Sequence, residues 1–249
     1  MGLFDFLSKN KSAAEPRSKS EREIARLQRL VGNKLSQNYD RQEAIEALSR
    51  MATAQSATAL FKRFDWSMDP TITDHEEKES AVRGIVAAGE EGLEPLRDYC
   101  RKAQSLTWPL KALKEIVPRD RIVDELLAIL DFFDTEYVRN VEPKVQLIQY
   151  LEGYPTEDVR IAVEPFLGDM SEPVRFAAVR TVFAVNAPES VPALVAALED
   201  EESLRVRNAI AQGLGSRDWV IPEELREACA GAVPEGFQLS AGTVKERRR

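Results

Sequence analysis

Apolar side chains recur along most of this chain at helical spacing, and between residues 169 and 214 one phrase is written twice. Val174-Arg175-x-x-Ala178-x-x-x-Val182 and Val206-Arg207-x-x-Ile210-x-x-x-Leu214 stand 32 residues apart. That period fits a hairpin of two amphipathic helices, the second running from Ser190 to Leu198. Self-similarity at this spacing predicts a solenoid, in which each unit buries its apolar face against its neighbours.

The same pattern extends backwards. Ile24, Leu27, Leu30, Val31 and Leu35 form one stripe over residues 20–37, which predicts an N-terminal capping helix. Six helical pairs follow. The first covers 40–64 and the second runs from about His75 to Gln104. The third is SLTWPLKALKEIV with RDRIVDELLAILDFF, and the fourth PKVQLIQYLEG with TEDVRIAVEPFLG. The fifth and sixth start at Ser171 and Glu202. Pro109, Pro143, Pro173, Pro188 and Pro222 stand where helices begin, where a missing N–H costs nothing. Ser105 or Thr107, Thr156 and Ser171 precede helices as N-caps. Pro165, late in a helix, should kink it or end it early. No stretch alternates long enough with period two to predict a sheet, and the chain reads as all helix.

Aligning the first helices puts Arg41, Lys78, Lys144, Arg175 and Arg207 at one position, with Pro109 in place of the base in the third pair. Acids stand at or near most of these positions: Asp40, Glu77, Glu142, Asp169 and Asp200. Stacked, the bases form a ladder interleaved with acids, read here as exposed pairs worth about 0 to 1 kcal/mol each, useful for register.

These residues carry a resemblance. VRFAAVRTV, APESVPALVAAL and VRNAIAQGL resemble the HEAT-like repeat family, in the short bacterial form also found in phycobilin lyases. TITDHEEKE, SLTWPLK and DTEYVRNVEPK are similar to stretches of bacterial HEAT-repeat proteins with no assigned activity. The resemblance implies an all-α fold, a right-handed α-α superhelix (HEAT-like solenoid) of about six helical pairs, used as a protein-binding scaffold. In such arrays second helices line the concave side. There Arg97, Arg101, Asp124, Glu125 and Arg160 offer a mixed-charge surface suited to a protein partner.

Charge narrows the partner. The chain carries a net charge of −8, but residues 1–20 and 245–249 are basic, and the body between stands at −13. An acidic body opposes nucleic acid, whose binding rests on neutralising phosphates. The expected organisation is an amphipathic tip and flexible linker at 1–19, a solenoid at 20–236 and a disordered basic tail at 237–249. Within the tip, Leu3, Phe4, Phe6 and Leu7 share one helical face with Asp5 opposite, a weak docking peptide for a partner, a membrane surface or its own solenoid.

Candidate chemistry is sparse. Phosphate-loop, nucleophile-elbow and zinc-protease spacings are missing, and the single histidine, His75, reads as a loop residue. No catalytic residue, metal site or cofactor is assigned. Cys100 and Cys229 read as buried thiols in separate repeats of a cytoplasmic monomer. Two enzyme classes share the fold and stand as alternatives beside a tip-tethered peripheral adaptor: phycobilin lyases, and HEAT-like DNA glycosylases. Trp108 and Trp219 are available to the latter, but the acidic body opposes it. Packing over inter-repeat seams is the simpler role for Trp66, Trp108 and Trp219.

Overall fold

A computed structural model describes residues 18–247. The tip residues Leu3, Phe4, Phe6 and Leu7 and most of the linker lie outside the described residues. The described chain opens with α1 (Lys19–Gly32), where Ser18 and Glu21 form a reciprocal capping box at 3.1 and 2.7 Å. Leu27 and Val31 of the predicted stripe are buried in α1. Leu35 is not part of it: the helix ends at Gly32, and Leu35 stands 88% exposed in the next loop.

Six helical pairs follow. The first is α2 (Asn38–Met51) with α3 (Ala54–Leu60), prolonged by a 3-10 turn Phe61–Asp65. The second is α4 (Thr71–Ala87) with α5 (Leu93–Cys100), and the third α6 (Thr107–Ile116) with α7 (Ile122–Leu130). The fourth is α8 (Glu142–Leu151) with α9 (Glu157–Val163), and the fifth α10 (Glu172–Val185) with α11 (Val191–Asp200). The sixth is α12 (Leu204–Arg217) with α13 (Arg226–Ala232). First helices stack as one row, α2 on α4, α4 on α6, α8 on α10 and α10 on α12. Second helices stack as another, with α3 against α5, α7 against α9 and α11 against α13. The core is the apolar seam between the rows, as a repeat array requires.

Local chemistry places the boundaries. Pro143 and Pro173 occupy the first turns of α8 and α10, and Pro188 opens a 3-10 turn before α11. Thr156 caps α9, and α9 stops at Val163, just before Pro165. Ahead of α6 the N-cap is Leu106, with neither Ser105 nor Thr107 in that role. α4 begins at Thr71, so His75 is on a helix and not in a loop.

The chain is not all helix. β1 (Phe237–Ser240) and β2 (Thr243–Glu246) form an antiparallel hairpin where a disordered tail was expected. Its two-residue turn, Ala241-Gly242, takes positive φ at both positions (50° and 80°), as tight hairpin turns demand. Val244 is fully buried and β2 packs on α12, so the hairpin covers the last first helix. Phe237-Gln238-Leu239-Ser240 does alternate, but only over four residues, and Thr243–Glu246 offers a single apolar side chain, so the pattern is easily passed over.

α12 approaches α10 closely at Gly213. A Cβ there would lie 2.2 Å from the Phe183 ring. Alanine is the better helix former by about 1 kcal/mol, yet overpacking costs about 1–3 kcal/mol. Gly213→Ala is therefore expected to lower the urea midpoint, and an unchanged or higher midpoint would contradict the close packing.

Candidate interaction surface

The predicted ladder begins in an ion network buried between the first two pairs. Arg41, in the first turn of α2, donates from Nε and Nη2 to the Glu77 carboxylate of α4 at 2.9–3.2 Å. Its remaining donors reach the Ser36 carbonyl and Asn38. Arg63, fully buried, binds Glu77 at 2.7 Å and Asp74 at 2.7 Å, and lies 3.9 Å over the Trp66 ring. Lys78 turns back within α4 to Asp74 at 2.8 Å and takes Ser67 at 2.9 Å. Burial raises the Asp74 pKa, but hydrogen bonds from Lys78 and Arg63 outweigh it and hold the carboxyl below its ordinary value.

Further along, Lys144 and Asp169 are each 1% exposed and meet at 2.7 Å. The Lys144 ammonium also takes the carbonyls of Asp134 and Glu136 at 2.8 and 3.0 Å, filling its three donors. Arg175 makes a two-pronged contact with Glu201 at 2.7 and 2.8 Å. Burial works against the Glu201 charge, but Arg175 and the Ser203 amide together leave its pKa lowered. Arg207 donates to the Ala232 carbonyl, its Nε buried without a partner.

The expectation of exposed pairs is corrected: Arg41, Lys78 and Lys144 are buried, each with its charged head against the loop that precedes its helix, at Ser36, Ser67, and Asp134 with Glu136. Among the expected acids, Glu77 and Asp169 take the bases, while Glu201 replaces Asp200. Arg63 was missed altogether, since it lies on a second-helix turn outside the repeated phrase. A basic residue inside the apolar run Leu60-Phe61-x-Arg63-Phe64 was the available signal.

The second-helix row carries the other predicted residues. Arg97 of α5 pairs with Glu125 of α7 through two 2.8 Å hydrogen bonds, joining the second and third pairs. Arg101, just past α5, stacks 4.0 Å over the Phe132 ring, and Asp124 is exposed. Arg160 is held by Glu157 and Glu164 of its own segment. The five residues thus lie on or next to α5, α7 and α9 but form no single cluster. Open grooves lie along the row. One of about 500 Å³ lies between α3 and α5, another of about 470 Å³ between the turn after α9 and α11, and a third between α11 and α13.

The aromatic residues divide. Trp108 packs at a seam, 6.1 Å from Phe64 and 5.1 Å from His75, and Trp219 lies 5.8 Å from Phe183. Tyr154 packs beside Tyr150, whereas Tyr137 is 74% exposed. Cys100 and Cys229 are buried free thiols, and burial pushes Cys100 up to about 12. No helix among the described residues is long and apolar enough to cross a membrane.

Two stacked rows of antiparallel helix pairs, locked across repeats by buried ions, define a HEAT-like solenoid. The family model for HEAT repeats matches residues 123–215, from within α7 to near the end of α12. Over that stretch the chain carries HEAT-like repeats, and the same two-row architecture runs through the other described residues. No curated protein matches it.

Proposed function

We propose that this protein is a non-enzymatic scaffold that binds another protein along its second-helix row. The observation carrying this reading is the disposition of charge. Each buried ionisable side chain among the described residues that carries charge has an opposite partner inside the fold: Arg41 and Arg63 with Glu77, Lys78 with Asp74, Lys144 with Asp169, Glu201 with Arg175. A catalytic cleft needs ionisable groups held ready for substrate. Here the surface left over is broad, mixed in charge and grooved, which suits a protein partner.

Arg97 is needed by Glu125, so the cleaner probes are the exposed Arg101 and Asp124. A partner captured by the full-length protein from an extract of its native host should be lost by the Arg101→Glu, Asp124→Lys double variant. Helix content should be unchanged. Equal retention would move the site off this face, and co-purification of a small molecule in place of a protein would end the scaffold reading.

A further inference from the structure

The groove between α3 and α5 has an apolar floor and a charged rim. Phe61, 1% exposed, stacks on Tyr99 with ring centroids 4.9 Å apart. Ala54 and Pro95 continue the apolar lining beside the exposed Thr58, and burial pushes the Tyr99 phenol up. A cavity of about 500 Å³ lies in the range that holds large side chains or small ligands.

We propose that residues 1–8 of this same chain occupy the groove. Reach is the first argument. Gly32, at the C-terminal end of α1, lies against Lys62 at the far end of the groove, and α1 packs along α3. The N-terminus of α1 therefore points to the end where the groove opens between Ala54 and Glu94. Residues 9–17 can span up to about 30 Å, enough to bring the tip from Ser18 over the floor. The groove at α9 and α11 belongs to the opposite half of the array.

Chemistry is the second argument. The segment before α1 joins Leu3, Phe4, Phe6 and Leu7 to the bases Lys9, Lys11 and Arg17. The entrance has the opposite character: the exposed Glu94 lines it, with Glu90 and Glu91 exposed in the turn just before α5 and Asp98 further along the rim. Glu90 also meets Arg121, and the rim lysines Lys62 and Lys102 lie at the other end. Aromatic side chains thus face an aromatic floor, while a basic tether crosses an acidic threshold. Because the tether is short, a contact weak between separate molecules is populated within one chain. The proposal stands whether or not a partner protein binds the second-helix row.

The test uses the full-length chain with a photoreactive benzophenone amino acid at Phe4. After irradiation and digestion, cross-links within one chain should join the N-terminal peptide to residues 54–65 or 93–102. Thr58→Arg, placed at an exposed position, should cut that yield at least about tenfold by filling the groove, with the circular dichroism unchanged. Cross-links elsewhere on the chain, cross-links between copies, or no cross-link would each overturn the proposal. So would a yield indifferent to Thr58→Arg.

Discussion

Glu77→Ala is expected to destabilise the first two pairs by about 3–5 kcal/mol, because it strands the buried Arg41 and takes from Arg63 one of its two carboxylates. Arg41 and Arg63 both depend on that carboxylate, and both are buried. Asp74 remains for Arg63, but Arg41 is left with uncharged acceptors. Urea unfolding followed through tryptophan fluorescence measures the effect, since Trp66 lies against both guanidiniums and Trp108 lies at the neighbouring seam. A loss below about 1 kcal/mol would mean that the network behaves as a surface pair. Replacing Arg41, Arg63 and Glu77 together by apolar residues should cost less than Glu77→Ala alone, since no charge is then stranded.

The second large effect belongs to Lys144. Lys144→Ala leaves the Asp169 carboxylate buried and uncompensated, and removes the donor that holds the Asp134 and Glu136 carbonyls. The expected cost is about 3–5 kcal/mol. Lys144→Met, with no charge but similar length, should be nearly as harmful, whereas adding Asp169→Asn to Lys144→Met should recover part of the loss. Guanidinium melts of the three variants decide it, and equal stability of Lys144→Met and wild type would refute the buried pair.

The architecture was legible because it rests on period. Apolar spacing over 169–214 and prolines at helix starts are local signals, and the six pairs follow from them. What escaped depended on contacts distant in sequence. Arg41 and Lys144 looked solvated because arginine and lysine usually are, and their burial comes from partners 36 and 25 residues away. Arg63 stood in an apolar run with no repeat to flag it. The C-terminal hairpin is specified by a two-residue turn and one inward valine, too little for a period to register. On the second-helix row, Arg97 and Glu125 read in sequence as part of a mixed-charge concave surface, but each satisfies the other across a seam.

The repeated bases also give the array a direction. Arg41, Lys144 and Arg175 each reach towards the following unit, to Glu77, Asp169 and Glu201. Each unit joined this way therefore has a donating side and an accepting side, like a hook and an eye. A unit inserted between the fifth and sixth pairs would couple correctly only if it brought an acid on its leading side and a base on its trailing side. Lys78 of the second pair turns back to Asp74 of its own helix and the third pair has Pro109 at the base's position, so neither passes the coupling on and the described chain holds two separate runs. At the last unit the hook closes on a backbone oxygen, Ala232, and not on another carboxylate. Lengthening this solenoid at its C-terminal end would mean lifting the hairpin from α12 and giving Arg207 an acid.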